Sequence, residues 1–224
     1  MWPPGRPARS RSAWRRCLRS SLSLNLSRSL NRCFLRQSMR IGVISDTHGN
    51  VTAFRKALSH FDGVEMILHA GDVLYHPPRL PCSEGYDIPA FVEVLNGLAT
   101  PVIIAQGNCD PQVYEELLEM PVQSPYAYVS VENLNIVVNH GHMLTRDAMI
   151  ELCRRYRADY FISGHTHIPV LEAADGCILM NPGSPAIPKY EVNGRLVPTV
   201  GLIWDSGARV IDIDTGATVF ESSR

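Results

Sequence analysis

The sequence predicts a single α/β domain in which two β-sheets pack face to face and helices cover their outer faces. Strand patterns alternate with helical patterns early in the chain, and strands dominate late. No repeat or second core divides the chain, and its 224 residues, 45% of them hydrophobic, suffice for one domain with a large core. No apolar run approaches the ~18–20 residues of a membrane span.

The early part of the domain has the alternating pattern. Its predicted elements are strands at about 40–45, 66–70 and 102–105 and helices at about 51–60 and 91–98. Pro111 stands where it can open a further helix at its first position. The proline-rich segment between 72 and 90 is too long for a simple crossover, and such long loops are often functional.

The late part is mostly β. Its predicted elements are a hairpin formed by 126–131 and 134–138, a helix at about 149–156, and strands at 160–163, 170–173, 177–180, 200–204, 210–213 and near Val219. This change of pattern along one chain is what predicts two sheets rather than one.

Residues 1–38 are treated separately from the domain at 39–224. They contain nine arginines, no lysine and no acidic residue, a composition that cannot build a core, so we expect them to be disordered or loosely helical. The favoured explanation is that they are not translated and that Met39 is the natural start. A transit peptide is the second explanation, and a basic arm for nucleic acid or membrane is the third.

Charge and cysteine usage limit the function of the remaining chain. Residues 39–224 hold 12 basic side chains against all 22 acidic ones, a formal net charge of −10. This balance disfavours long nucleic acids and suits anionic ligands that need cations. The six cysteines are scattered without a CxxC pair, so we expect neither a disulfide framework nor a zinc ribbon, and we predict a reduced, cytoplasmic location.

Five predicted strand ends carry side chains that commonly bind metals. They are Asp46 with His48, Asp72, Asn108, His140, and His165 with His167. Any one of them has an ordinary explanation, because a lone strand-end aspartate is usually a helix cap and a lone histidine is usually structural. All five together, each beside a glycine or a sharp turn, are improbable by chance. Ligands of α/β folds bind beyond the carboxyl ends of strands, so these residues predict one shared site.

The chemistry of these side chains indicates the metals. Carboxylate, imidazole and amide groups without thiolate suit Mn²⁺, Fe²⁺, Zn²⁺ or a similar divalent ion. Seven ligands are too many for one centre that keeps an open position, so two ions sharing a carboxylate fit better. Such pairs, ~3.5–4 Å apart, serve in-line displacement at phosphorus.

The motifs resemble the calcineurin-like metallophosphoesterase family, and within it the small bacterial YfcE-type phosphodiesterases. The matching blocks are Asp46-x-His48, Gly71-Asp72, Gly107-Asn108-Cys109-Asp110, His140-Gly141-His142 and Gly164-His165-Thr166-His167, with further likeness at 71–76, Pro78-Arg79, 84–86 and 181–184. The resemblance covers the chain from Met39 to its end. It implies an α-β-β-α sandwich of two mixed β-sheets flanked by helices.

The resemblance also implies a phosphodiesterase with two divalent ions, most simply Mn²⁺, with Ni²⁺, Fe²⁺ and Zn²⁺ as alternatives. A hydroxide bridging the metals would attack a small phosphodiester or phosphomonoester. One ion would take Asp46, His48 and His167, the other would take Asn108, His140 and His165, and Asp72 would bridge them.

The proton donor and the substrate contacts are less defined. Many relatives carry histidine where this chain has Cys109, whose thiol could donate a proton or simply fill space. His76 and His142 are further candidates for proton donation or for contact with substrate, or for hydrogen bonds behind the ligands. Arg79 could bind a substrate phosphate or lie free in solvent. The segment 181–184 could line the site or form only a turn.

Two other functions compete with the small-substrate phosphodiesterase. The eukaryotic retromer subunit of this fold is similar but serves mainly as a protein-interaction scaffold. All seven ligand positions are filled by competent residues here, which favours an enzyme. A nuclease is the third possibility, and the acidic domain weighs against long polynucleotide substrates. The resemblance also suggests a homo-oligomer and gives no reason to expect a membrane partner.

Overall fold

The structure, a computed structural model, describes residues 39–224; the expectations for residues 1–38 lie outside this range. The helices are α1 (Val51–Leu58), α2 (Ile88–Asn96), α3 (Tyr114–Leu117) and α4 (Arg146–Tyr156). The strands are β1 (Arg40–Ile44), β2 (Met66–His69), β3 (Val102–Ala105), β4 (Val122–Gln123), β5 (Ala127–Val131), β6 (Leu134–Val138), β7 (Tyr160–Ile162), β8 (Val170–Ala174), β9 (Cys177–Asn181), β10 (Glu191–Val192), β11 (Arg195–Leu196), β12 (Thr199–Trp204), β13 (Gly207–Asp212) and β14 (Thr218–Ser223).

The strands form two mixed sheets and a small hairpin. The first sheet has the order β14-β13-β12-β1-β2-β3-β4, and the second has the order β5-β6-β7-β9-β8. Strands β1 to β4 are parallel, as are β6, β7 and β9, whereas β12 to β14 and the two edges of the second sheet are antiparallel. Parallel neighbours end at the same edge of their sheet, so the loops after β1, β2 and β3 lie side by side.

Alternation of apolar side chains along the strands separates the layers. In β7, Tyr160 and Ile162 face the core between the sheets, whereas Phe161 packs under α4 with Ile150 and Cys153. In the first sheet, Ile41 and Val43 face the same central core. Its outer face carries Ile44 and Ile104 against α1 and α2, where Phe54 and Phe91 stack at 4.4 Å between ring centroids. The predicted α-β-β-α sandwich and single domain are therefore confirmed.

Capping residues explain where the three longer helices begin. Asn50, Asp87 and Thr145 each accept a hydrogen bond from the backbone amide three residues later. None of the helices in residues 39–224 has the length and apolarity needed to span a membrane.

Several local predictions were wrong. Pro111 does not open a helix: a turn follows it, and α3 begins only at Tyr114. Helix α1 ends at Leu58, two residues before the predicted end, and the amides of His60 and Phe61 bond instead to carbonyls three residues back. The two-residue strands β4, β10 and β11 were missed, since so few residues leave no periodic pattern.

Candidate metal centre

Strand ends bring most of the predicted ligands to one place between the two sheets. Asp46, His48 and His167 can meet a common ion, and so can Asp46, Asp72 and His140, because one ligand atom from each residue of a group lies within 4.8 Å of the others. A third such group consists of His48, Asp72 and Cys109.

The first group is tightly packed and buried. The Nε2 atom of His167 lies 3.3 Å from Asp46 Oδ1, and that of His48 lies 3.9 Å from the same oxygen. The two Nε2 atoms are 3.3 Å apart. Burial lowers the pKa of His48 despite the nearby carboxylates, so its ring is neutral at pH 7.

Backbone carbonyls determine which nitrogen of three histidines faces the centre. The Nδ1 atoms of His48, His140 and His167 lie 2.7 Å from the carbonyl oxygens of Tyr75, Ala70 and Ile187. Each Nδ1 therefore carries the hydrogen, and each Nε2 points toward the carboxylates. A carbonyl behind a histidine is the usual arrangement at protein metal sites.

The second group surrounds Asp72. The Nε2 atom of His140 lies 3.3 Å from Asp72 Oδ2 and 3.1 Å from Asn108 Oδ1. Burial alone would lower the pKa of His140, but the Asp72 and Asp46 carboxylates raise it to about 9. Burial would likewise raise the pKa of Asp72, yet its bond to His140 holds it well below the usual range. A positive charge is thus strongly favoured at this point.

His165 is placed at the rim of the centre. Its side chain is exposed, and its ring meets that of His140 edge to face at 5.3 Å between centroids. Its backbone amide donates to both oxygens of Asp46, at 2.9 and 3.2 Å. His165 thus supports Asp46 through its backbone, while its ring lies beside the rings of His140 and His142.

The backbone at the centre is unusual. Positive φ angles between 43° and 68° occur at Asp46, His48, Asp72, His165 and His167. Residues with side chains rarely adopt this left-handed conformation, which costs of the order of 1–3 kcal/mol where it is strained. Asp46 and His48 converge through these turn conformations, because β1 ends at Ile44 and both residues lie in the turn beyond it.

Residues outside the predicted set hold these turns in place. His69 is fully buried, and its ring bonds to the hydroxyl of Thr47 at 2.9 Å and accepts the amide of Gly71 at 3.1 Å. Ser184 donates to the carbonyl of Asp46 at 2.8 Å. The segment 181–184 thus supports the site from behind. A polar His69 in an apolar strand was the available signal for this role.

The candidates for proton donation and substrate contact lie around the same centre. Burial and the Asp72 carboxylate raise the pKa of Cys109 to about 12. His142 is exposed, with its ring centroid 5.5 Å from that of His140. The ring of His76 lies 6.4 Å from that of His48, and its Nε2 bonds to the carbonyl of Leu80. Arg79 is exposed and has no bonded partner in residues 39–224.

The donor set fits divalent cations. With Nδ1 protonated in each ring, the neutral forms of His48 and His167 present two lone pairs to each other at 3.3 Å. The buried carboxylates of Asp46 and Asp72 add negative charge. Such a cluster of electron pairs is stabilised only by a proton or a metal ion, and its nitrogen and oxygen donors suit first-row transition metals.

Comparison with known proteins identifies the family. The family model described as the calcineurin-like phosphoesterase superfamily domain matches residues 39–200. Phosphodiesterase YfcE of Escherichia coli strain K12 is 36% identical over 153 residues, which cover 67% of this chain and 82% of YfcE. Phosphodiesterase MJ0936 of Methanocaldococcus jannaschii is 27% identical over 177 residues, or 74% of this chain and 92% of that protein.

Comparison with solved structures gives the same fold. The structure of YfcE, a phosphoesterase from E. coli, matches with a TM-score of 0.72 at 31% identity over 83% of this chain and 99% of that one. Vps29 from Entamoeba histolytica, complexed with zinc, matches with a TM-score of 0.55 at 22% identity, over 83% and 99% of the two chains, and shows the fold alone. The chain belongs to the calcineurin-like phosphoesterase superfamily, as its motifs predicted.

Proposed function

We propose that the protein is a divalent-metal-dependent phosphodiesterase that uses a dinuclear centre and a bridging hydroxide. The observation that carries the proposal is the orientation of His48, His140 and His167. Each ring donates its Nδ1 hydrogen to a backbone carbonyl, and its Nε2 atom points toward Asp46 or Asp72. The relatives named as phosphodiesterases support the type of substrate, a small phosphodiester or phosphomonoester.

In this proposal the seven predicted ligands would hold two ions, with Asp72 shared between them. One ion would take Asp46, His48 and His167, and the other would take Asn108, His140 and His165. When bound, such a pair neutralises charge on phosphoryl oxygens and lowers the pKa of a water toward ~7. Mn²⁺ is the ion we propose first, with Ni²⁺, Fe²⁺ and Zn²⁺ as alternatives that the same donors accept.

The chain's own residues then act on substrate at the open face of the centre. Asn108 and His165 are exposed there, so the amide and the imidazole can meet a phosphate oxygen as well as an ion. We propose His142, His76 and Arg79 as further substrate contacts, because they lie in loops that lead from the ligands to solvent. Cys109 is a poor proton donor in this role, since proton donors work best with a pKa near the operating pH.

The cellular setting is also a proposal. Cys82, Cys109, Cys153 and Cys177 are free thiols in the described part of the chain, which agrees with a reduced, cytoplasmic location. A homo-oligomer is proposed from family resemblance, and the acidic domain disfavours long nucleic acid as a partner.

A protein-interaction scaffold, the role expected from resemblance to the retromer subunit of this fold, is the second candidate. The likeness to Vps29 concerns the fold, at 22% identity. Against this role stands the completeness of the site, in which all seven predicted ligand positions carry competent side chains and three buried histidines are oriented by carbonyls. The enzyme is therefore favoured.

The test is hydrolysis of bis-p-nitrophenyl phosphate and p-nitrophenyl phosphate by the full-length protein after chelation and after addition of Mn²⁺, Ni²⁺, Zn²⁺ or Mg²⁺. Asp72→Asn is expected to abolish metal-dependent cleavage. Asp62→Asn is the matched control, because Asp62 is exposed in the turn before β2, at the other end of the strand. A folded protein that cleaves neither ester with any metal would refute the proposal and favour the scaffold.

A further inference from the structure

The loop that follows β2 is bonded to the loop that follows β1. Three backbone bonds join them, from the amides of Asp46, His48 and Gly49 to the carbonyls of Gly71, Asp72 and Val73, at 3.0, 3.0 and 2.8 Å. The loop also ends on a carbonyl that matters for the centre, because Tyr75 O accepts from His48 Nδ1 at 2.7 Å. The position of this loop therefore sets both Asp72 and the ring of His48.

The opposite edge of the same loop presents four consecutive amides. Two side chains from the segment after β3 receive all of them. Asp110 accepts the amides of Asp72 and Val73 at 2.7 and 2.8 Å, and the hydroxyl oxygen of Tyr114 accepts those of Leu74 and Tyr75, both at 3.0 Å. Asp110 also accepts the amide of Gly107 at 2.7 Å, which ties the two loops together.

Burial keeps water from competing for these hydrogen bonds. Tyr114 is 1% exposed and Asp110 is 5% exposed, so water does not replace either acceptor. Burial and the adjacent carboxylate of Asp110 raise the pKa of Tyr114, which keeps the phenol neutral. The ring of Tyr114 also packs on that of Tyr75, with 5.8 Å between centroids. Leaving a buried amide without an acceptor costs free energy, so the position of the Tyr114 hydroxyl determines the position of the loop.

We propose that Tyr114 is a positioning residue: its hydroxyl holds the Leu74 and Tyr75 amides so that the carbonyl of Tyr75 orients His48 toward the metal centre. Tyr114 does not touch substrate or metal. The inference rests on the proposed metal centre, in which His48 is a ligand. Partners behind a ligand typically contribute about 10–100-fold to metal affinity.

The test compares Tyr114→Phe with Tyr160→Phe. The second change removes a hydroxyl from a fully buried tyrosine that has no hydrogen-bond partner in residues 39–224. Hydrogen exchange of the Leu74 and Tyr75 amides is measured in the chelated protein, and Mn²⁺ affinity by calorimetry. Tyr114→Phe is expected to speed exchange at both amides and to weaken Mn²⁺ binding about tenfold, whereas Tyr160→Phe changes neither.

A third variant distinguishes displacement of the loop after β2 from a general loss of fold stability. Leu118→Ala removes a buried core side chain just after α3 and leaves the Tyr114 hydroxyl in place. It is expected to lower Tm while Mn²⁺ affinity stays near wild type. Wild-type affinity in Tyr114→Phe, or equal loss in Leu118→Ala, would overturn the inference and leave the metal centre standing. A wild-type protein that takes up no metal would overturn the proposed function, and this inference with it.

Discussion

The Nε2 atoms of His48 and His167 lie 3.3 Å apart, and in the neutral forms of the two rings neither has a hydrogen to offer the other. Both rings donate Nδ1–H to carbonyls, those of Tyr75 and Ile187. The two lone pairs repel each other at this distance unless a proton or a cation lies beside them. The carboxylate of Asp46 lies 3.3 Å from His167 and adds negative charge, so a divalent ion suits this cluster better than a single proton does.

Metal binding is therefore expected to stabilise the fold. At a hundredfold excess over Kd, Mn²⁺ should add about 2.7 kcal/mol, a rise in Tm of roughly 5–10 °C for a domain of this size. His167→Ala should remove most of this rise. His60→Ala is the control, because His60 bonds to the carbonyl of Ile213 away from the centre. Thermal scans with and without chelator make the comparison, and an equal rise in both variants would refute the role of His167.

The buried ring of His69 predicts sensitivity to acid. Burial lowers the pKa of His69 from 6.5 to about 3. As the pH falls below 6.5, the unfolded chain therefore binds a proton at this residue that the folded chain does not bind. Stability should therefore fall as pH drops from 6.5 toward 3, with a loss of about 2 kcal/mol from this residue by pH 5. Denaturant unfolding of the chelated protein at pH 7 and pH 5 measures it.

His69→Gln isolates that contribution, because glutamine keeps a donor and an acceptor but does not titrate. The variant is expected to be less stable than wild type at pH 7 and to lose less stability between pH 7 and pH 5. Identical pH dependence in the two proteins would show that other groups cause the acid sensitivity.

Gly107 lies too close to Asp72 to carry a side chain. A Cβ atom there would be 2.2 Å from Asp72 Oδ1 and 2.3 Å from its amide nitrogen. Gly107→Ala should displace the carboxylate and lower metal-dependent activity roughly tenfold or more. Gly97→Ala is the control, since the nearest atom to its Cβ is a carbonyl oxygen at 3.1 Å at the end of α2. Full activity in Gly107→Ala would argue against Asp72 as a bridge.

The pKa of Cys109 predicts which esters are cleaved. A thiol with a pKa of about 12 donates protons poorly at neutral pH, so esters with good leaving groups such as phenolates should react best. Cys109→Ser should keep activity on bis-p-nitrophenyl phosphate within roughly threefold, since loss of a true general acid costs about 10²–10⁴-fold.

Cys109→His is the complementary variant and is expected to gain activity on poor leaving groups, because it places a stronger acid at this position. Hydrolysis of alkyl phosphoesters should rise relative to that of p-nitrophenyl esters. Rates measured over a series of leaving groups give the dependence directly. A histidine variant with no gain on alkyl esters would count against the absence of a proton donor in the wild type.

Much of this protein was readable from the sequence. The order of strands and helices followed from apolar periodicity, which is a local property. The candidate ligands were recognisable because residue type and position after a strand are also local. The structure brings Asp46, His48, Asp72, His140 and His167 within reach of common ions, while the assignment of individual ligands stays a prediction.

Short and distant features escaped the sequence. The two-residue strands have no period to detect. His69 and Thr47 could have been noticed as polar residues among apolar ones, but their contact joins residues 22 positions apart. Tyr114 had no signal at all, because it reads as an ordinary aromatic core residue.

The sequence by itself determined the family, the layered fold and the kinds of donor atom available for metals. Only the tertiary structure decided how those donors face each other. The left-handed turns at Asp46, His48 and Asp72, and the carbonyls that fix each imidazole, depend on hydrogen bonds between separate loops. A local pattern cannot specify such bonds, because each partner is supplied by a different strand end once the sheets have packed.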